Sequence, residues 1–179
     1  MKDIIYITGN QHKADYLAKY LGHPVEHKKV DLDEIQSMDL GEIIKHKVRQ
    51  AYDVVKKPVV VEDTSLEFKA FGNLPGPFIK FFIKQMPLEE ICSLLNGKDR
   101  TATARCMYGY FDGEREAYFE GSIEGVISEK PIGDRSFGFG KIFIPKGFTT
   151  TQANLNDEDH EKMYTEMKPI RQLKEFLEK

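Results

Sequence analysis

Ile4-Ile5-Tyr6-Ile7-Thr8-Gly9-Asn10-Gln11-His12-Lys13 is the stretch on which the reading of this chain turns. Its apolar run breaks at Thr8-Gly9-Asn10, which reads as a strand ending in a turn. Ala14, Leu17, Ala18 and Leu21 then recur at i, i+3, i+4 and i+7, which predicts an amphipathic helix over 11–21 with Gly22 at its exit. Working outward, Val25–Val30 reads as a second strand. Leu40–Lys56 reads as a second helix with Ile44, Val48, Ala51 and Val55 on one face, and Pro58-Val59-Val60-Val61 as a buried strand. Strand, helix, strand, helix, strand is the opening of an α/β protein.

Beyond residue 70 the pattern changes. Gly72-Asn73-Leu74-Pro75-Gly76-Pro77 breaks both periods and reads as a loop. Phe78–Lys84 and Leu88–Leu95 read as short helices. Thr101–Phe111 alternates as a strand, Asp112-Gly113 signals a hairpin turn, and Glu114–Phe119 reads as the returning strand. Ile123–Ile127 and Ile142–Ile144 are further strand candidates. Pro169–Glu178 carries Ile170, Leu173 and Leu177 at helical spacing. The expected outcome is a two-lobed single domain over 1–179, with the hairpin lobe across a cleft from the βαβαβ lobe.

Composition bounds the function. The chain has 179 residues, 26 Lys plus Arg and 29 Asp plus Glu, for a net charge of −3. That balance argues against a nonspecific nucleic-acid binder, which needs a basic face. Cys92 and Cys106 alone make neither a disulfide framework nor a zinc site. No apolar run nears the ~18 residues of a membrane span. The N-terminus reads as a strand and not as a leader, so the expected compartment is the cytoplasm.

Two segments carry candidate chemistry. Thr8–Lys13 lies where a strand hands over to a helix, so free backbone N–H groups and the helix dipole favour an anion there. Lys13 is a cation at the end the dipole disfavours, which is tolerable if a phosphate binds. The alternative is an ordinary turn with Asn10 as the helix cap. Glu62-Asp63-Thr64 follows the apolar strand, where open α/β sheets place ligands. Hard cations such as Mg²⁺ take one or two carboxylates there, and a free carboxylate accepts a proton from water. The alternative is a solvated turn. Asp31, Asp33 and Glu34 form a second acidic cluster after the second strand. Lys47 flanks the apolar stripe of its helix and Lys80 follows the Pro/Gly loop; either could be a plain surface lysine. Phe78, Phe81, Phe82, Phe137 and Phe139 read as core before base-stacking platforms. No GxSxG or HExxH pattern is present.

Thr8-Gly9-Asn10-x-x-Lys13, Val61-Glu62-Asp63-Thr64-Ser65-Leu66 and Leu74-Pro75-Gly76-Pro77-Phe78-Ile79-Lys80 occur in this order. Together they make the sequence resemble the inosine triphosphate pyrophosphatase family, house-cleaning enzymes that act on deaminated purine NTPs. Phe119-Glu120-Gly121-Ser122-Ile123-Glu124-Gly125 and Phe143-x-Pro145-x-Gly147 extend the resemblance along the chain. It implies a two-lobed α/β fold with an elongated mixed β-sheet flanked by helices, usually homodimeric. It also implies Mg²⁺-dependent hydrolysis of ITP, dITP or XTP to a monophosphate and pyrophosphate. By position, Thr8, Gly9, Asn10 and Lys13 would cradle phosphates and Lys47 would contact them. Glu34 and Asp63 would hold the metal with Glu62 in support, and Asp63 would also activate the water. Thr64 and Lys80 would touch substrate, as would Phe137, and Phe137 or Phe139 could stack on the base. A catalytically weak nucleotide binder of the same family is the second reading, and the full acidic set speaks against it.

The resemblance is incomplete on the base side. The family's Phe-Gly-aromatic-Asp-Pro is here Phe137-Gly138-Phe139-Gly140-Lys141. A Ser-His-Arg triplet that reads the purine oxygen aligns with Tyr164-Thr165-Glu166, and an earlier lysine with His160. The expectation is therefore altered or relaxed base selectivity.

Overall fold

The computed structural model describes residues 3–135 and 138–179. Among them the elements follow in the order β1 (Ile5–Ile7), α1 (Gln11–Leu21), β2 (Glu26–Lys28), α2 (Leu40–Val55), β3 (Val59–Phe68), β4 (Pro75–Gly76), α3 (Ile79–Gln85), α4 (Leu88–Ser93), β5 (Thr101–Phe111), β6 (Glu116–Ile127), β7 (Phe143–Pro145), α5 (Asp157–Met167) and α6 (Ile170–Leu177). The strands form one mixed sheet in the order β2-β1-β3-β5-β6-β7, with β4 pairing β3. No helix among the described residues is long and apolar enough to cross a membrane.

The chain divides into two compact units, and β3, β5 and β6 contribute residues to both. The first comprises Met1–Asp63, Cys106–Glu120 and Pro169–Lys179. It is the predicted βαβαβ unit: β1 is central, parallel to β2 with Ile5 opposite Glu26 and to β3 with Ile5 opposite Val59. Connecting β1 to β2 and then β2 back past β1 to β3 by right-handed crossovers puts α1 and α2 on opposite faces. Helix α2 buries Leu40, Ile43, Ile44, Val48 and Ala51. Ile44, Val48 and Ala51 pack with Ile5, Val59 and Val61 into one apolar cluster. Gly109 of β5 permits this approach, since a Cβ there would lie 2.6 Å from Ile44 Cγ2 and 3.4 Å from Val61 Cγ2. Helix α6 closes the unit, burying Ile170, Leu173 and Leu177, with the Phe176 ring 4.9 Å from that of Tyr110.

The second unit comprises Thr64–Arg105 and Gly121–Lys168. Its core includes Leu66, Phe68, Ile79, Ile91, Leu95, Ala104, Ile127 and Phe143, all buried. Arg100 ties its loops together, donating to the carbonyls of Cys92, Ile127 and Ser128.

Three sequence readings change. Strand β3 does not end at Val61 but continues to Phe68, because Ser65, Leu66 and Phe68 are buried and Leu66 pairs with Gly76 of β4. Glu62 and Asp63 therefore lie inside a strand, where side chains alternate, and not in a turn. The separate segments Glu114–Phe119 and Ile123–Ile127 are one strand, β6. Helix α5 went unread because only Met163, Tyr164 and Met167 are buried along it. Its start was nevertheless marked: Asn156 accepts from the Asp159 N–H at 2.8 Å, and Asp157, Glu158 and Asp159 fill the first turn. A turn does follow β5 at Asp112-Gly113, but it spans residues 112–115 rather than two residues, because Asp112 accepts from the backbone N–H groups of Glu114 and Arg115 and delays the start of β6 to Glu116.

Candidate active site

The period of β3 distributes the two neighbouring carboxylates. Val59 and Val61 face α2, so Asp63 follows on that face; Val60 and Glu62 face the other way. Each carboxylate meets a lysine from the helix on its own side. On the α2 side, Lys47 lies three and four residues after Ile44 and Ile43, at the margin of the buried stripe. Its Nζ donates to Asp63 Oδ2 at 2.8 Å and to Glu34 Oε1 at 3.4 Å. On the α1 side, Lys13 Nζ donates to Glu62 Oε1 at 2.9 Å.

Burial separates these two couples. The Glu62 side chain is only 2% exposed, and its second oxygen accepts from the Tyr6 hydroxyl at 2.7 Å. Tyr6 is 1% exposed and registers with Val60 across β1 and β3, which places it on the Glu62 face. Tyr6 is the residue the sequence reading missed; the signal was a hydroxyl inside an otherwise apolar strand, in register with the position two residues before Glu62 and so on the same face. On the α2 side, Asp63 and Glu34 keep 25% and 36% of their side-chain surface. Burial alone would pull the Lys47 ammonium down, but the charges and hydrogen bonds of Asp63 and then Glu34 prevail and hold its pKa above the ordinary lysine value. Lys47 is therefore a full cation across the physiological range.

The Thr8–Lys13 turn sits beside these groups in sequence and is built by short local bonds. Thr8 Oγ1 accepts from the Asn10 N–H at 3.1 Å, and Asn10 Oδ1 accepts from the Lys13 N–H at 3.3 Å. Asn10 is thus the cap of α1. Gly9 is exposed, and a Cβ on it would meet Lys29 Cδ at 3.2 Å. Asp33 of the second acidic cluster is bound to Gln50 through its backbone N–H and its carboxylate.

Among the described residues no three His, Cys, Asp or Glu side chains gather closely enough to hold a metal ion by themselves. The donor chemistry nonetheless fits a hard cation, because two carboxylates, Asp63 and Glu34, already share one positive charge, the Lys47 ammonium.

Thr64 and Lys80 belong to the second unit: Thr64 continues β3, and Lys80 is an exposed residue of α3. Phe137 lies outside the described residues. Of the other aromatics, Phe139 is buried as expected, whereas Phe81 is 49% exposed, because α3 buries Ile79 and turns Phe81 outward. Gly140 packs against the Gln152 side chain, with space for a Cβ 3.6 Å from Gln152 Cδ. Tyr164 is buried beneath Lys168, whose Nζ lies 4.7 Å from the ring centre, and the Thr165 hydroxyl donates to carbonyls of its own helix. His160 stacks on Tyr164, and burial with the Arg135 charge holds its pKa below the usual imidazole value.

Comparison with known proteins bears on this arrangement. The chain is 39% identical over 176 residues to inosine triphosphate pyrophosphatase 2 of Trypanosoma cruzi, covering 96% of this chain and 90% of the relative. It is 34% identical over 180 residues to the inosine triphosphate pyrophosphatase of Scheffersomyces stipitis, covering 99% and 92%. In fold it is similar to a HAM1 protein from Coxiella burnetii, with a TM-score of 0.83 at 21% identity over 99% of this chain and 98% of that one. It is also similar to the Staphylococcus aureus Ham1 protein, with a TM-score of 0.80 at 23% identity over 99% and 98%. The Ham1 family pattern matches residues 4–176, and the chain belongs to that family.

Proposed function

We propose that this protein is a nucleoside-triphosphate pyrophosphatase that hydrolyses its substrate to a nucleoside monophosphate and pyrophosphate. The observation that carries the reading is the pair of acid–lysine couples, Asp63–Lys47 and Glu62–Lys13, on a chain 39% identical to an inosine triphosphate pyrophosphatase. The reaction removes deaminated purine NTPs such as ITP, dITP and XTP, with relaxed selectivity toward other bases. The chain acts as one domain over 1–179, as a homodimer in the cytoplasm.

The roles follow from charge and position. The start of α1, with Thr8, Gly9, Asn10 and Lys13, offers backbone N–H groups and an ammonium to phosphate oxygens. Lys47 adds a second ammonium. Glu34 and Asp63 hold Mg²⁺, supported by Glu62, which fixes Lys13. When bound, Mg²⁺ supplies charge neutralisation to the phosphate oxygens. Asp63 takes the proton of the attacking water as its oxygen bonds to the α-phosphorus. The bond from that phosphorus to the bridging oxygen breaks, and pyrophosphate leaves with the electron pair. Thr64, Lys80 and Phe137 contact substrate, and Phe137 or Phe139 stacks on the base. No covalent enzyme intermediate is needed, so positioning and charge supply most of the rate.

Product analysis tests this reading. Incubation of ITP, dITP, XTP and the common NTPs with the protein and Mg²⁺ should yield equimolar monophosphate and pyrophosphate. A diphosphate with orthophosphate, or no turnover of any NTP, would overturn it.

A further inference from the structure

The two lysines do not hold their carboxylates equally. Glu62 is 2% exposed and accepts from Lys13 and from Tyr6, so the departure of Lys13 would take a cation from a carboxylate that water cannot reach. Asp63 and Glu34 are 25% and 36% exposed, so water can take over their oxygens if Lys47 departs. Lys47 reaches both through a flexible four-carbon stem. Its ammonium, 2.8 Å and 3.4 Å from the two carboxylates, occupies the position a bound cation would need.

We infer that Lys47 is a place-holder cation: it bridges Asp63 and Glu34 in the free protein and exchanges them for phosphate oxygens when a divalent ion enters together with the triphosphate. This rests on the pyrophosphatase reading above. A divalent ion arriving alone meets a positive charge on the oxygens it needs and must drive that ammonium into water. A triphosphate arriving alone competes with two carboxylates for the same ammonium. When both arrive, the ion takes the carboxylates and Lys47 takes the phosphates, and no charge is left unpaired. Metal and triphosphate therefore bind with positive coupling, and by linkage each raises the affinity of the other by the same factor, of the order of 5- to 150-fold.

The test is direct Mn²⁺ binding, followed by electron paramagnetic resonance, with and without an ITP analogue whose α,β-bridging oxygen is a methylene group. Wild type should bind Mn²⁺ weakly alone and about tenfold or more tightly with the analogue. K47M, which keeps the stem and loses the charge, should bind Mn²⁺ alone about tenfold more tightly than wild type, and its coupling to the analogue should be at least about fivefold smaller than in wild type, the remainder being the direct attraction between ion and phosphates. K47R should stay within about twofold of wild type, and K47Q gives the same reading as K47M should K47M fold poorly. Unchanged or weaker Mn²⁺ binding in both neutral variants, with wild type still hydrolysing ITP, would overturn the place-holder and leave the pyrophosphatase standing. Absence of Mn²⁺ binding in every variant, with and without the analogue, would overturn both.

Discussion

Glu62 and Asp63 are adjacent in sequence, yet their carboxylates are engaged from opposite faces of the sheet, by Lys13 of α1 at 2.9 Å and Lys47 of α2 at 2.8 Å. The alternation of β3 splits one acidic motif into two jobs. The buried couple with Lys13 and Tyr6 is a fixed brace, and the more exposed couple with Lys47 is free to exchange partners.

The brace makes a stability prediction. Lys13→Met removes the Lys13 ammonium from a carboxylate that is 2% exposed and should lower unfolding free energy by about 2 kcal/mol. Adding Glu62→Gln removes the buried negative charge and should recover at least half of the loss. Urea unfolding of the single and double variants measures both; a loss below about 0.5 kcal/mol in Lys13→Met would contradict the brace.

Gly109 should matter to activity although it carries no chemistry. A Cβ there would lie 2.6 Å from Ile44 Cγ2 and 3.5 Å from Val48 Cβ, so in Gly109→Ala either the Ile44 side chain or α2 itself, which carries Lys47, must shift. The expected cost is about 1–3 kcal/mol of stability, with a fall in kcat for any NTP measured. Wild-type stability together with wild-type kcat would show that the approach of α2 is not tight.

The hairpin carries a pH-dependent contribution. Asp112 is partly buried, which opposes its charge, but the N–H groups of Arg115 and Glu114, the Tyr110 hydroxyl and the Arg115 guanidinium prevail and lower its pKa from 3.8 to about 2. A group lowered in the folded state stabilises above its unfolded pKa. That contribution is complete above about pH 4 and is lost as pH falls toward about 2. Discounted for solvent screening it is worth about 1 kcal/mol. The stability difference between wild type and Asp112→Asn should therefore shrink between pH 7 and pH 3; a constant difference would contradict the assignment.

Base selectivity is the fourth test. Gly140 offers no side chain, Tyr164 is buried under Lys168, and Thr165 spends its hydroxyl on its own helix. Donors to a purine oxygen are thus missing at these positions, and a site with missing polar partners changes discrimination by roughly 10²-fold. The ratio of kcat/KM for ITP over ATP and GTP should fall below about 10²; a larger preference would show that other donors read the base.

The βαβαβ opening was legible because two signals coincide there: helical periodicity in 11–21 and 40–56, and short apolar runs between them. The limits of α1 and β5 match the reading residue for residue, since each has caps or turns written at its ends. Strand β3 ran past its reading because Glu62-Asp63-Thr64 looks polar, whereas the strand is carried on by Leu66 and Phe68 and by pairing with β4. Helix α5 lacks an apolar stripe and announced itself only through its cap and first-turn acids. At the site, the residue types were legible but the pairing was not. Which carboxylate meets which lysine depends on the face each strand position takes, and that required the true length of β3. Tyr6 was hidden for the same reason, since its role appears only once β1 and β3 are in register.

The central claim is that Asp63 receives the proton of the attacking water. The most direct measurement is the rate of pyrophosphate release from ITP with Mg²⁺ by wild type and by Asp63→Asn, with folding of the variant checked by circular dichroism. Asparagine keeps the size and shape of the side chain but removes the charge proposed to hold metal and accept the proton. The expected result is a folded variant whose kcat is lower by at least ~10²-fold. A folded Asp63→Asn protein releasing pyrophosphate at close to the wild-type rate would contradict the claim.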